Sequence, residues 1–291
     1  MSNNPRQTLR RLLAAPDIVL APGAYDALTG RLVEQAGFPA VYLTGAGVAY
    51  TQLATPDLGL VTLSEMADRA ARVAEAVSLP VIADADTGYG NAINVQRAVR
   101  AYERAGVAAL HLEDQATPKR CGHLRGKELI PAAEMCGKIR AARDARRDPD
   151  LVLIARTDAR AAEGLDAALD RARRYAAAGA DLLFVEAPES LEELGRIPRE
   201  LPAPAMANMV EGGRTPLVSA RELQEFGYRL VIFPNAVART AAKAVIGLLG
   251  ELKRAGTTAG CLERMLSWGE LNALLGIEDY LEAGRRYAGE K

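Results

Sequence analysis

The stretch VIADADTGYGN, residues 81–91, runs three apolar residues into two carboxylates and then a glycine-containing turn. An apolar run this short, with no polar alternation, reads as a strand buried on both faces, as in a parallel sheet. The acids that follow mark its C-terminal end. The same beat recurs outward along the chain at Ile18 to Ala21, Ala40 to Leu43, Ala108 to Leu112, Leu151 to Ala155, Leu182 to Val185, Pro204 to Ala207 and Leu230 to Phe233. Amphipathic stretches such as SEMADRAARVAEAV, NVQRAVRAYERAG and LDAALDRARRYAAAG lie between them. Eight β-then-α units predict a closed (β/α)8 TIM barrel of α/β class rather than an open sheet. Gly37, Gly106, Gly179 and Gly227 each stand shortly before a strand, where a helix C-terminus needs a left-handed residue.

A barrel of this kind accommodates all 291 residues as a single domain, 1–291. The chain beyond Phe233 is too long for one closing helix, so residues 240–291 are expected to form a C-terminal helical extension, with its strongest signal from about Gly260 to Tyr287. Leu262, Met265, Leu266, Leu271, Leu274 and Leu275 fall there at helical spacing and read as a packing stripe for an oligomer contact. With 49% hydrophobic residues, 25% charged and a net charge of -1, the composition is that of a globular protein without a field for nucleic acid. MSNNPRQTLRRLL lacks a secretory apolar region and no run reaches the ~18 residues of a membrane span, so no membrane partner and a cytoplasmic location are expected. Cys121, Cys136 and Cys261 are too scattered for a disulfide framework or a CxxC site.

Polar residues cluster where strands end: Thr44, Asp84, Asp86, Glu113, Arg156, Asp158, Glu186 and Asn208. That end is the catalytic mouth of such a barrel. Asp84 and Asp86 are expected on one side of an extended segment, with Glu113 joining from the neighbouring strand. An all-oxygen set with few protein ligands suits Mg²⁺ or Mn²⁺. The competing reading makes these acids ion-pair partners of Arg156 and nearby lysines. PKRCGHLRGK, residues 118–127, is too polar to be buried, and holds Cys121 among Lys119, Arg120 and His123. Such cations should draw a thiol from its usual value of about 8.5 toward neutrality, where it can deliver a proton.

KRCGHL, residues 119–124, matches the signature of the isocitrate lyase and phosphoenolpyruvate mutase superfamily. APGAYDALTGRLVEQAGFPAVYLTGAG, VIADADTGYGN, HLEDQ, IARTDA and NMVEGGRTP resemble its segments across nearly the whole chain. The resemblance implies a barrel whose last helix swaps between subunits of a homotetramer, a dimer of dimers. It implies Asp84, Asp86 and Glu113 at the Mg²⁺, and Cys121 on a gating loop as proton donor. Thr44, Gly45, Ala46, Gly122, His123, Arg156, Glu186, Asn208 and Arg239 are implied as substrate contacts, with Asp57 bordering the site. Tyr42 and a metal-bound water are the candidate bases.

The chemistry so implied is cleavage of a carbon-carbon bond in a hydroxy-acid, giving an oxo acid and a second carboxylic acid. EGG at Glu211 to Gly213 resembles the dimethylmalate lyase and petal-death form. Trp268 replaces an arginine that methylisocitrate lyases use, which favours a dicarboxylate such as a 2-alkylmalate over a tricarboxylate such as methylisocitrate. Carboxyphosphonoenolpyruvate mutases share the KRCGHL loop, so a phosphonomutase is the alternative, and a catalytically silent oxo-acid-binding barrel is the non-enzymatic one.

Overall fold

Eight parallel strands close on themselves in chain order: β1 (Val19–Ala24), β2 (Val41–Leu43), β3 (Val81–Asp84), β4 (Ala109–Glu113), β5 (Val152–Thr157), β6 (Leu182–Val185), β7 (Ala205–Asn208) and β8 (Leu230–Phe233), with β8 paired back onto β1. The computed structural model describes residues 4–122 and 126–288. All eight strands fall on the apolar runs read from the sequence.

Helices fill the connections: α1 (Pro5–Ala14) precedes β1, α2 (Ala27–Gln35) follows it, and α3 (Gly45–Val48) with a π turn (Ala49–Leu53) and α4 (Leu63–Ala76) follow β2. Then come α5 (Ala92–Arg104), α6 (Ala132–Ala145), α7 (Ala159–Glu163), α8 (Leu165–Ala178), α9 (Leu191–Glu200), α10 (Ala220–Phe226) and α11 (Ala236–Ala255). Capping boxes start α2, α4, α5 and α10, satisfying amides that a first turn leaves unpaired. Gly37, Gly106, Gly179 and Gly227 all take positive φ, as expected of residues that end helices.

Period-two alternation sorts the strand residues into two cores. Val19, Ala21, Ile82, Val152, Ile154, Leu182, Phe184, Met206, Leu230 and Ile232 form one cluster, the lumen of the barrel, into which Leu9 of α1 packs. Their neighbours, among them Val41, Ala83, Leu110, Leu153, Leu183 and Val231, join the helices in the second. The lumen is therefore a filled core and not a pore.

The chain divides into a unit of residues 1–238 and a second unit of residues 239–291. The second unit contains most of α11, a 3-10 turn (Ala259–Arg264), α12 (Trp268–Leu274) and α13 (Ile277–Tyr287). Among its described residues only Cys261 is buried. The apolar stripe expected over Leu262 to Leu275 is not one helical face. Met265 adopts extended backbone, and a capping box of Ser267 and Glu270 starts a new helix behind it.

Candidate active site

Where the strands end, the alternation that fills the lumen with aliphatic residues carries polar ones inward. On β4 the series Ala109, His111, Glu113 turns from apolar to charged in two steps, and β5 does the same through Val152, Ile154 and Arg156. Register sets Asp84 beside His111 and Glu113 beside Arg156. A narrow cavity of ≈ 30 Å³ opens here, lined by Tyr42, Thr44, Ala46, Asp57, Asp84, Cys121, Gly122, Arg156, Glu186 and Asn208, with Val210, Ile232, Pro234 and Asn235.

Asp84 is the hub of one side. Its Oδ1 accepts from the Asp86 amide at 3.0 Å, and its Oδ2 accepts from the Gly45 amide at 3.3 Å and from the Tyr42 hydroxyl at 3.4 Å. Burial would raise its carboxyl, but His111, Lys119 and Arg156 outweigh that and hold it low. His111 is wholly buried, with Nε2 2.7 Å from the Tyr42 hydroxyl and 3.4 Å from Asp84 Oδ1. Burial lowers the imidazole more than Asp84 raises it. Tyr42 is pushed well above 10 by burial and by Asp84.

The other side gathers around Arg156. Its Nε and Nη2 grip Asp158 at 2.9 and 3.1 Å, its Nη1 lies 3.2 Å from Glu113 Oε2, and its guanidinium stacks 5.2 Å from the centroid of Phe184. Asn208 donates to both oxygens of Glu186 at 3.3 and 3.2 Å. Asp114, below, holds Asp158 in place by accepting its amide at 2.9 Å, and itself takes hydroxyls from Thr157 and Tyr175, both at 2.7 Å.

Glu113 stands out because neither carboxylate oxygen has a hydrogen-bond partner, although the residue is wholly buried. Burial raises its carboxyl well above the usual range. Buried carboxylates are otherwise satisfied. One ligand atom each from Glu113, Asp84 and His111 lie within 4.8 Å of one another. Glu113, with neither oxygen hydrogen-bonded, and Asp84, whose oxygens accept only single donors apiece or long contacts of 3.3 and 3.4 Å, fit a hard divalent cation, whereas the imidazole Nε2 is already engaged with Tyr42.

Asp86, expected beside Asp84 at such an ion, is turned elsewhere. The extended strand stops at Asp84, and Asp86 takes a φ of 45°. Its Oδ1 lies 2.9 Å from Lys119 Nζ, which also donates to Asp57 Oδ1 at 2.5 Å. Burial opposes the charge on Lys119, but Asp86, Glu113 and Asp57 outweigh it. The expectation of an exposed loop therefore fails at Lys119, which is 5% exposed with its charge spent on two carboxylates. It is not free to activate Cys121.

Cys121 itself is half-buried and faces the cavity. Gln115 clamps the residue before it, donating to the Arg120 carbonyl at 2.8 Å and accepting the Arg120 amide at 2.9 Å. Gln115 also bridges Leu129, and the Ala116 amide meets the Glu128 carbonyl at 2.8 Å, so the loop leaves and returns at one place. Lys127 ties Gly122 O to Asp158 Oδ1. A Cβ at Gly122 would overlap Arg156 and Glu186.

Of the expected contacts, Thr44, Ala46, Gly122, Arg156, Glu186 and Asn208 line the cavity together with Tyr42, Asp57, Asp84 and Cys121. The Gly45 amide is occupied by Asp84. Arg239 is exposed on α11 in the second unit, and Trp268 is 81% exposed on α12. His123 lies outside the described residues. Sequence reading overlooked His111, although it stands two residues before Glu113 and so on the same side of β4. It also overlooked Asn235 and the Gln115 clamp, and only the second had no signal in the local pattern.

The profile of the phosphoenolpyruvate phosphomutase family matches residues 9–252. The chain is 49% identical over 285 residues to the 2,3-dimethylmalate lyase of Eubacterium barkeri, covering 98% of this chain and 99% of that one. It is 47% identical over 276 residues to the 2-methylisocitrate lyase of Aeropyrum pernix, covering 95% and 89%. Among solved structures it is similar to an oxaloacetate acetylhydrolase in complex with the inhibitor 3,3-difluorooxalacetate, with a TM-score of 0.94, 36% identity and 99% of each chain covered. With matches of that extent, and a barrel mouth built as described, the chain belongs to the phosphoenolpyruvate mutase and isocitrate lyase superfamily.

Proposed function

We propose that the protein is a Mg²⁺-dependent carbon-carbon lyase that cleaves a 2-alkylmalate or a similar hydroxy-dicarboxylate into an oxo acid and a second carboxylic acid. A lyase of this superfamily is the coarse reading that its relatives support. The observation that carries the finer one is Glu113, a wholly buried carboxylate with no hydrogen bond, with an oxygen within 4.8 Å of one from Asp84.

Asp84 and Glu113 would hold the cation, which would supply positive charge for the substrate's hydroxyl and carboxylate oxygens. Arg156, oriented by Asp158, pairs with a substrate carboxylate. The substrate hydroxyl loses its proton as the bond between its carbon and the neighbouring carbon breaks. That carbon becomes the carbonyl of the oxo acid, and the bonding pair goes to the neighbouring carbon. Cys121 gives its thiol proton there. Tyr42, its phenol held protonated, acts as a hydrogen-bond donor, and Asp57, fixed by Lys119 in the cavity wall, accepts the hydroxyl proton. Arg156 is the one cationic side chain among the described residues lining the cavity, so among those residues a third substrate carboxylate finds no cationic partner. That favours a dicarboxylate.

The exposed Val245, Ile246, Leu249, Trp268 and Tyr280 of the second unit support coverage by further copies of the chain, in the proposed homotetramer. Light scattering at micromolar concentration tests that. For the reaction, the test is kcat/KM with Mg²⁺ on 2,3-dimethylmalate against 2-methylisocitrate. A preference for the tricarboxylate would replace the substrate assignment, and turnover of neither would return the phosphonomutase reading.

A further inference from the structure

At the opposite end of the barrel, four arginines and two acids surround a cavity of ≈ 310 Å³: Arg6 on α1, Arg100, Glu103 and Arg104 on α5, and Arg147 and Asp148 after α6. We propose that this cavity binds a compact polyanion carrying a diphosphate group.

The charges there are not balanced among themselves. Arg6 is fully used: its Nε donates to the Val107 carbonyl at 3.0 Å, one Nη donates to the Glu103 carbonyl at 2.5 Å, and the other meets Asp148 Oδ2 at 2.7 Å. Asp148 is thereby neutralised, and its Oδ1 also accepts the Asp150 amide at 2.9 Å. Glu103 is taken up by backbone, since its Oε1 accepts the amides of Arg147 and Asp148 at 3.0 and 2.6 Å. The acids in the wall thus serve the frame. Arg100, Arg104 and Arg147 remain, and none makes a side-chain hydrogen bond or ion pair among the described residues.

Their placement is set by the fold. Arg100 and Arg104 are one turn apart on α5, a spacing at which like charges repel. Arg147 is the third, its backbone anchored by Glu103. Three guanidinium groups around one space are a suitable fork set for phosphate oxygens, which they bind bidentately. The volume lies at the small end of ligand pockets, room for a diphosphate and its waters rather than an extended cofactor. These residues gather at the end of the barrel where β4 begins, with Arg6 on the Val107 carbonyl, and not where Glu113 finishes the strand.

Titration calorimetry of the full-length protein with inorganic pyrophosphate, in EDTA and low salt, tests this. Saturable binding is expected, weakened at least about tenfold in R100Q/R104Q/R147Q because each loses a charge-assisted contact. It should be unchanged in D84N, and weaker for orthophosphate. ADP binding as tightly as pyrophosphate would identify the diphosphate as the part recognised. The triple variant alters exposed side chains, and circular dichroism with turnover checks that its fold and mouth are intact. No heat at about 10 mM pyrophosphate, or an affinity that survives the triple substitution, overturns the proposal. Binding lost in D84N instead would place the anion at the catalytic mouth and overturn it equally.

Discussion

The lower and upper layers of the barrel lumen come from the same strands with the same alternation, yet differ in every physical respect. Below, Val19, Val152, Leu182, Met206 and Leu230 share one apolar cluster with Leu9, with nothing to titrate among them. Above, Arg156, Asp158, Glu113 and Asp84 crowd charges into equal burial, and Glu113 is left without a hydrogen bond. The lower layer is stable because apolar area leaves water. The upper layer is held together by ion pairs that contribute little beyond their own desolvation, so its cost is carried by the layer beneath. Strength and chemistry are separable in this fold, and substitutions should separate them.

The largest expected effect is on the cation. EDTA should reduce turnover below detection and Mg²⁺ restore it, while Glu113→Gln should abolish turnover without lowering the melting temperature of the metal-free protein. The amide removes a carboxyl that burial disfavours, so a loss of more than ~4 °C by calorimetry would break the separation of layers. Asp158→Asn should instead unfold the protein readily, by ~3–5 kcal/mol in urea titration, since Arg156 and Lys127 both lose a buried counter-charge. The sign with pH follows. Burial opposes the Asp158 carboxylate, but Arg156 and Lys127 outweigh it and depress the folded pKa. This stability is present above the unfolded value of about 3.9 and lost as pH falls below it, so the variant should show a shallower acid loss.

From below, Leu9→Ala should cost ~2–5 kcal/mol with kcat at 25 °C unchanged, because the plug touches no reacting group. A kcat that fell with it would couple the layers. Cys121→Ser should leave stability alone and lower kcat by about 10²-fold, the scale of general acid catalysis. The smallest effect is the substrate ratio. A 2-alkylmalate should exceed 2-methylisocitrate by about tenfold in kcat/KM, about 1.4 kcal/mol, read from initial rates with both substrates.

The barrel was legible because strand identity here rests on composition alone: β6 and β8 begin and end where their apolar runs do. The mouth was legible to the extent that period two persists. Asp84 continues the alternation of β3, so its place could be read, whereas Asp86 could not, since a positive φ two residues beyond the strand's end turns it toward Lys119. Lys119 was misjudged for a related reason. Its polarity predicted exposure, and only the three-dimensional meeting with Asp57 and Asp86 makes its burial affordable. The second unit shows the reverse error, for the Leu262 to Leu275 stripe was read by spacing while the Ser267 capping signal inside it went unused.

The doubled tie at Gln115 has a mechanical consequence. Because its amide fastens to Arg120 while its backbone bridges Leu129, the two ends of the cysteine loop are knotted to the same point on the rim. A pull on the chain between those ends meets this pair of ties, and the Lys127 link to Asp158, before it reaches β4 or α6. Residues inserted after Gly126 would leave both Gln115 ties to Arg120 in place. The same residues inserted between Gln115 and Arg120 would shift the reach of Cys121 itself, like a pivot moved along a lever.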